Sequence, residues 1–214
     1  MLQLYTFLRS PHAFKVRLAL AELGVAYTPI EVNLMQQEQQ RDTFAAVNPH
    51  RKVPVLVDGA LALRESDAIL AYLGDAYGGA GALWPNDARA RGEALQWLFY
   101  DAANFSYAGR IWWADVVTPR TGRTGPPAPP EMVDQLAVET GRALRVLEEH
   151  LRSREYLLGG GFSLADCGLG VMVNLLKGTR VDRPEELPAV TAYRERIRAR
   201  PAWAAAGGAV LHNL

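Results

Sequence analysis

Cysteine is nearly absent from this chain of 214 residues, in which Cys167 is the single one. One cysteine cannot form an internal disulfide, and this is typical of a protein kept in a reducing compartment. An excess of charge of either sign is lacking too, because 23 basic side chains balance 23 acidic ones. Binding to nucleic acid or to an acidic membrane surface favours a basic excess, so the sequence predicts neither partner.

Long apolar runs are also missing. No stretch reaches the ~18 consecutive apolar residues that predict a membrane-spanning helix. The start, MLQLYTFLRSPH, lacks the basic leader and the small-residue cleavage site of a signal peptide. The four histidines show no metal-ligand spacing. Since 49% of the residues are hydrophobic, we expect a cytoplasmic globular protein with a substantial core and no metal site.

The first 34 residues predict a strand, a helix and a second strand. Residues 2–7 and 27–34 have strand patterns. Between them, Ser10 and Pro11 form a helix start, with serine as the N-cap and proline in the first turn. Gly24 is expected to end this helix in the left-handed conformation. The connection is long enough for the two strands to pair in parallel.

A hairpin and another helix follow. Residues 35–47 are polar and predict at most a short helix, and residues 52–57 predict a strand. Asp58-Gly59 is a hairpin turn signal before a return strand at 60–63. Ser66 is expected to be the N-cap of the next helix. A two-residue turn joins only antiparallel strands, so the predicted sheet is mixed.

The remainder predicts an all-helical domain at 88–214, separated from a first domain at 1–77 by a Gly- and Pro-containing linker at 78–87. Residues 118–130 contain five prolines and predict a loop. Apolar periodicity predicts the other segments as helices. These helices cover residues 88–117, 131–151, 163–176 and 187–199, with a short piece after Pro201.

Ser10 is the first candidate for chemistry; its spacing alone favours a plain helix cap, and a functional role would add to the cap rather than replace it. A helix N-terminus has unpaired N–H groups and partial positive charge. Both features stabilise an anion such as a thiolate, and a hydroxyl that donates to the sulfur lowers the thiol pKa further. Ser10 could therefore activate a bound thiol without a cysteine from the chain.

Two further signals are weak when taken alone. Pro54 suits an edge strand, and a cis Val53-Pro54 bond would instead expose the Val53 backbone to an extended peptide ligand. Glu65-Ser66 at a second helix start suits a zwitterion, whose carboxylate would meet the N–H groups and whose ammonium would meet Glu65.

The order of these signals resembles that of the cytosolic glutathione S-transferases (GSTs). Residues 9–17 (RSPHAFKVR) are similar to the active-site turn of the serine-type classes, which are theta, zeta and bacterial relatives. Residues 48–56 (NPHRKVPVL) are similar to the family's cis-proline strand, and 63–73 (LRESDAILAYL) to its γ-glutamyl recognition turn. The resemblance implies a thioredoxin-like α/β N-terminal domain, an all-α C-terminal domain and a homodimer.

By this resemblance Ser10 is the catalytic residue and glutathione is the co-substrate. His12 either lines the glutathione site or lies exposed on its helix. Arg51 departs from the small, glycine-like residue that is common at this position in the family. The residues that the resemblance assigns to glutathione are Lys52 for the glycyl end, Val53 and Pro54 for the cysteinyl unit, and Glu65 and Ser66 for the γ-glutamyl end.

The helix that follows the linker lines the second-substrate pocket in this family. Its aromatic and basic side chains could be core or interface residues, or could hold an apolar or aromatic electrophile, with Arg110 on an anionic group. The candidates are Tyr107, Arg110, Trp112 and Trp113. Cys167, inside an apolar helix, and the capping-box pair Ser163 and Asp166 are interpreted as structural.

The predicted function is transfer of the glutathione thiolate to small electrophiles. One alternative is a glutathione-dependent isomerase similar to maleylacetoacetate isomerase, although the doubled Ser-Ser-Cys turn of that group is missing. Another is a non-catalytic GST-like protein that binds a ligand or a partner.

Overall fold

The structure is a computed structural model that describes residues 1–79, 81, 83–123, 125 and 128–212. Four strands form one mixed sheet in the order β2-β1-β3-β4. β1 pairs with β2 in parallel and with β3 antiparallel, and β3 and β4 are an antiparallel hairpin. The sheet and its connections confirm the predicted α/β part of the GST fold. The strands are β1 (Gln3–Thr6), β2 (Thr28–Glu31), β3 (Val55–Asp58) and β4 (Leu61–Arg64).

Helix α1 (Pro11–Leu23) starts and ends where the sequence predicts. Ser10 is its N-cap, and its Oγ accepts a hydrogen bond of 3.2 Å from the Ala13 N–H. Gly24 ends the helix with φ of +65°, a conformation that carries little penalty without a Cβ. After β2, two 3₁₀ turns and the one-turn helix α2 (Asp42–Ala45) lead to β3.

Helix α3 (Ser66–Tyr77) begins one residue earlier than predicted. Ser66 is its first helical residue, so its assignment as N-cap was wrong. Glu65 occupies the N-cap position with φ of +64° and makes no side-chain capping bond. The Ser66 hydroxyl instead faces His12, with 3.5 Å between Oγ and Nδ1.

The single helix predicted over 88–117 is interrupted at 105–107, between α4 (Ala88–Asn104) and α5 (Ala108–Trp112). Asn104 donates from its side chain to the Tyr100 carbonyl at 2.9 Å, and Ser106 donates to the Ala102 carbonyl. Such side-chain bonds compete with the backbone for the last carbonyls of a helix. Phe105 is fully buried at the break, so the chain turns where this ring enters the core.

Helical structure continues past residue 117, so the start of the predicted loop at 118–130 was also wrong. A π-helical turn (Trp113–Val117) leads into α6 (Thr118–Thr121), which contains Pro119. Pro119 has no N–H to donate to the carbonyl four residues earlier. The π-helical turn lies directly before α6, in the residues that precede this proline. Thr124, Pro126 and Pro127 of the predicted loop lie outside the described residues.

The remaining helices are α7 (Pro130–Leu151), α8 (Leu164–Leu175), α9 (Pro188–Arg198), α10 (Pro201–Ala205) and α11 (Gly208–His212). Every residue of α8 is buried, and this helix packs against α1, α3, α4, α5 and α9. Asp166 in the first turn of α8 accepts from the Ser163 N–H at 2.8 Å and from the Ser163 hydroxyl. It also accepts from the Leu157 N–H and from the Tyr193 hydroxyl, both at 3.0 Å, which supports the structural role of this pair.

One hydrophobic core runs from the sheet through α1 and α3 into α8. Trp84, 1% exposed, packs against Gly74 of α3 and donates from Nε1 to Asp75 at 2.9 Å. Cys167 is fully buried in this core, and burial raises the pKa of its thiol well above the ordinary value. None of the described helices combines the length and the apolar content that crossing a bilayer requires.

Candidate active site

The turn before Ser10 is held by a buried guanidinium. Arg17, one and a half turns into α1 and 5% exposed, donates to the Thr6 hydroxyl at 2.7 Å and to the Leu8 carbonyl at 2.8 Å. Its Nε donates to the Ala206 carbonyl at 3.1 Å. The end of β1 and the C-terminal segment are therefore fixed to α1, and Ser10, 8% exposed, has a defined position at the helix start.

The Val53-Pro54 peptide bond is cis, as the resemblance implies. Asn48, 2% exposed, supports this segment by donating from Nδ2 to the Lys52 carbonyl at 2.7 Å. Arg51 has φ of +54°, in the left-handed region that glycine favours. This backbone conformation explains why a small residue suits the position, and here an arginine adopts it.

A polar cavity of about 240 Å³ brings five of the predicted glutathione residues together with His12. It lies between the start of α1, the cis-proline segment and the start of α3. Ser106 and Tyr107, at the break after α4, close it from the helical part. The other lining residues are His12, Asn48, Lys52, Val53, Pro54, Glu65 and Ser66.

His12 is a half-buried member of this cavity rather than an exposed helix residue. Burial, together with the charges of Lys15 and Lys52, lowers the pKa of its imidazole from 6.5 to about 3. The ring is therefore neutral at physiological pH. A neutral imidazole can donate or accept one hydrogen bond at the ligand without adding charge.

A buried ion cluster lies behind the two helix starts. The Lys15 ammonium is 3.3 Å from the Asp67 carboxylate and 2.6 Å from Asp101 Oδ2. One ammonium thus serves two carboxylates on α3 and α4. Burial, together with the neighbouring Asp67, raises the pKa of Asp101 to about 7, even though Lys15 opposes this shift. The cluster connects α1, α3 and α4.

A second cavity of about 320 Å³ also reaches the start of α1. Ser10 belongs to its lining, whereas His12, two residues further along, lines the polar cavity. Most of the lining is apolar. The lining residues are Phe7, Arg9, Ser10, Pro11, Leu34, Met35, Gly109, Trp112, Trp113, Arg123 and Leu175.

The predicted second-substrate residues do not all line the same cavity. Trp112 and Trp113 line the apolar cavity with their rings 6.0 Å apart. Tyr107 lines the polar cavity instead. Arg110 lines neither, because its guanidinium lies over the Tyr107 ring and its Nη1 is 2.8 Å from the Met132 sulfur.

Sequence reasoning missed Asn48, Arg17 and the residues of the ion cluster. Asn48 had a signal, since it precedes Pro49 in the segment that resembles the cis-proline strand. The ion cluster had no sequence signal, because Asp67 and Asp101 lie 52 and 86 positions after Lys15 in the chain. Within the described residues, no cluster of three or more His, Cys, Asp or Glu could hold a metal ion.

Two family models match this chain. The family described as "Glutathione S-transferase, N-terminal domain" matches residues 4–81, and "Glutathione S-transferase, C-terminal domain" matches residues 105–201. Glutathione S-transferase theta-3 of Mus musculus is 33% identical, over 92% of this chain and 82% of the relative. The chain belongs to the glutathione S-transferase family.

The chain is also similar to two further proteins. The disulfide-bond oxidoreductase YfcG of Escherichia coli (strain K12) is 32% identical, over 94% of this chain and 92% of the relative. A glutathione transferase structure from Burkholderia graminis, with two glutathione molecules bound per subunit, is 30% identical. It superposes with a TM-score of 0.83 over 96% of this chain and 86% of that one.

Proposed function

We propose that this GST conjugates the glutathione thiolate, activated at Ser10, to small electrophiles. In this proposal, residues 1–77 bind glutathione and residues 88–214 hold the electrophile. The observation that carries it is the position of Ser10 at the start of α1, where it lines the apolar cavity directly beside the polar one. The chain would belong to the serine-type classes.

The polar cavity has suitable partners for each part of glutathione. The γ-glutamyl carboxylate would meet the N–H groups at the start of α3 and the Ser66 hydroxyl, which is 5% exposed. Glu65 would take the ammonium group. The Val53 backbone would pair with the cysteinyl unit, and the exposed Lys52 side chain would hold the glycyl carboxylate.

Thiol activation follows from the α1 start. The Ala13 N–H already binds the Ser10 oxygen, which leaves the hydroxyl proton free to donate to sulfur. The helix dipole and this bond both favour the thiolate, so the bound thiol should ionise below its free pKa of ~8.5. Sulfur then bonds to the electrophilic carbon, the leaving group takes the electron pair of the bond that breaks, and the thiol proton goes to water.

Ser10→Ala tests the role of the hydroxyl. We expect the pKa of bound glutathione to rise by about one unit, because one hydrogen bond to the thiolate is lost, while the Kd of glutathione changes little. Ultraviolet absorbance of the thiolate against pH gives the pKa, and calorimetry gives the Kd. Ser153→Ala, an exposed serine outside both cavities, is the control. An unchanged thiol pKa in Ser10→Ala would reject the assigned role.

Reduction of disulfides is the second candidate. The relative YfcG carries that name, and the apolar cavity beside Ser10 could hold a second thiol compound. Cys167 is buried, so the electrons would come from two glutathione thiols, which become glutathione disulfide as the substrate becomes two thiols. Turnover of hydroxyethyl disulfide without turnover of halonitrobenzenes would favour this candidate. The isomerase and the non-catalytic binder predict neither activity.

The proposal includes a cytoplasmic location and a homodimer formed partly by residues 78–110. Phe99 on α4 is 71% exposed, and Leu61 on β4 is 42% exposed. A partner copy that covered these side chains would remove their apolar area from water. Sedimentation equilibrium measures the state, and a monomer at micromolar concentration would contradict the dimer.

A further inference from the structure

The charge lining the apolar cavity has one sign. Arg9 and Arg123 are its two ionised side chains, and no carboxylate is among the described residues that line it. Both arginines are exposed. In the described part of the chain, neither guanidinium has a hydrogen bond or an ion pair, since the Arg123 contact to Thr121 is made by the backbone N–H.

Several other arginines of this chain are occupied by protein oxygens. Arg200 binds both carboxylate oxygens of Glu22, and Arg180 binds Asp115 with three of its bonds between 2.7 and 3.0 Å. Arg17 donates only to oxygens of its own chain. A guanidinium presents five N–H donors in a planar fork that matches a carboxylate, so Arg9 and Arg123 have unused capacity at the cavity.

The walls fit an aromatic body. Trp112 and Trp113 meet edge to face, with an angle of 77° between their planes. Gly125 packs closely on Trp113, because a Cβ at this glycine would lie 2.6 Å from the Trp113 Cγ. Gly125, two residues after Arg123, is therefore seated against the indole.

We propose that the second substrate is an apolar or aromatic electrophile that carries a carboxylate, selected by Arg9 and Arg123. This inference rests on the proposed function, since it names the substrate class of the same site. In this inference, Arg9 and Arg123 bind the anionic group. The sequence analysis suggested this role for Arg110, but Arg110 lines neither cavity.

The two arginines would offset the electrostatic repulsion between the thiolate and a carboxylated electrophile. A thiolate beside Ser10 repels an anionic electrophile, and the repulsion is strong in a partly enclosed space of low dielectric constant. Arg9 is the neighbour of Ser10, so its charge offsets this repulsion at the reacting end. Arg123, which follows α6 in the chain, lines the same cavity and would bind the carboxylate.

A matched pair of substrates tests the selection. In 4-chloro-3,5-dinitrobenzoate and 1-chloro-2,6-dinitrobenzene, the sulfur bonds to the same carbon and chloride leaves, but only the first has a carboxylate. We compare kcat/KM, divided by the uncatalysed rate with free glutathione. We expect a preference for the benzoate on the order of tenfold, because two partly exposed ion pairs contribute about 1.4 kcal/mol together. Added salt should reduce this preference and leave the neutral substrate unaffected.

Variants locate the preference. Arg9→Gln and Arg123→Gln should each lower it about threefold, and the double variant should abolish it, if the two pairs contribute equally. Arg120→Gln, an exposed arginine outside both cavities, should change nothing. A preference lost in Arg110→Gln, or equal losses for both substrates in the Arg9 and Arg123 variants, would overturn the assignment.

Binding separates this inference from the function on which it rests. Calorimetry with the two purified S-conjugates requires no turnover. Tighter binding of the carboxylated conjugate, lost in the double variant, supports the inference even if conjugation is too slow to detect. Equal binding of both conjugates overturns it and leaves the glutathione site intact. If neither conjugate saturates the protein, the proposed function fails, and the inference fails with it.

Discussion

Replacing Lys15 by methionine would leave two carboxylates without their shared ammonium inside the protein. Asp101 is 0% exposed and has one oxygen without a hydrogen-bond partner, whereas the Asp67 side chain is 14% exposed. Water can therefore hydrate the Asp67 carboxylate in part but cannot reach the Asp101 carboxylate. Methionine keeps the volume and the apolar stem of lysine, so the change removes charge with little loss of packing.

The expected loss is about 3 kcal/mol of unfolding free energy at pH 8, since removing one partner from a buried pair costs ~3–5 kcal/mol. For a chain of this size, that lowers Tm by about 6–12 °C. The loss should shrink toward pH 5. The folded-state pKa of Asp101 is raised to about 7, so protonation removes its charge below that pH. In Lys15→Met the pKa of Asp101 rises further. Protonated Asp101 stabilises the folded state at low pH, and this contribution is lost as the pH rises through the folded-state pKa.

Urea unfolding of wild type and Lys15→Met at pH 5 and pH 8 measures both effects. Lys177→Met is the matched control, because its pair with Glu195 at 3.5 Å is about half exposed and should contribute less than ~1 kcal/mol. Adding Asp101→Asn to Lys15→Met should recover much of the loss at pH 8 and remove most of its pH dependence. A loss below ~1 kcal/mol that is equal at both pH values would refute the reasoning, because it would mean that the cluster is hydrated.

Two further expectations concern packing and polar burial. Gly74→Ala should destabilise by ~1–3 kcal/mol, because its Cβ would lie 2.2 Å from the buried Trp84 ring. Gly92→Ala, where nothing lies within 4 Å, should stabilise slightly in the same urea titration, and equal effects would contradict the packing argument. Asp166→Ala should lose about 3 kcal/mol or more, because it orphans buried donors. The Kd of glutathione in a folded fraction of this variant should stay near the wild-type value, and a large change would place Asp166 in the site.

Local chemistry was enough to predict the frame of the N-terminal half. Ser10 and Pro11 determine where α1 begins because each satisfies a need of the first helical turn, and Gly24 suits the left-handed end. The hairpin follows from Asp58-Gly59, with φ of +59° at the glycine. Such features depend on neighbours within a few residues, so a single sequence contains them.

Features decided by distant contacts could not be predicted in this way. The apolar period continues from 88 to 117, yet the helix ends at Asn104 because Phe105 enters the core and nearby side chains take the last carbonyls. Glu65 adopts φ of +64°, a conformation unusual for glutamate, and this displaces the start of α3 by one residue. Arg110 has a suitable charge, but its helix directs it toward Met132.

The ion cluster combines local features of the sequence with a contact between distant residues. Lys15 lies five residues after Ser10, and Asp67 directly follows Ser66, so the salt bridge lies behind the two helix starts that would hold the sulfur and the γ-glutamyl group. Asp67 is also the acidic residue in the first turn of α3, where a negative charge is favourable. The same contact that stabilises the junction of α1, α3 and α4 therefore helps to fix the spacing between Ser10 and Ser66. Because a thiolate must meet its hydroxyl within hydrogen-bond distance, a change in this spacing should alter thiol ionisation before it alters the fold.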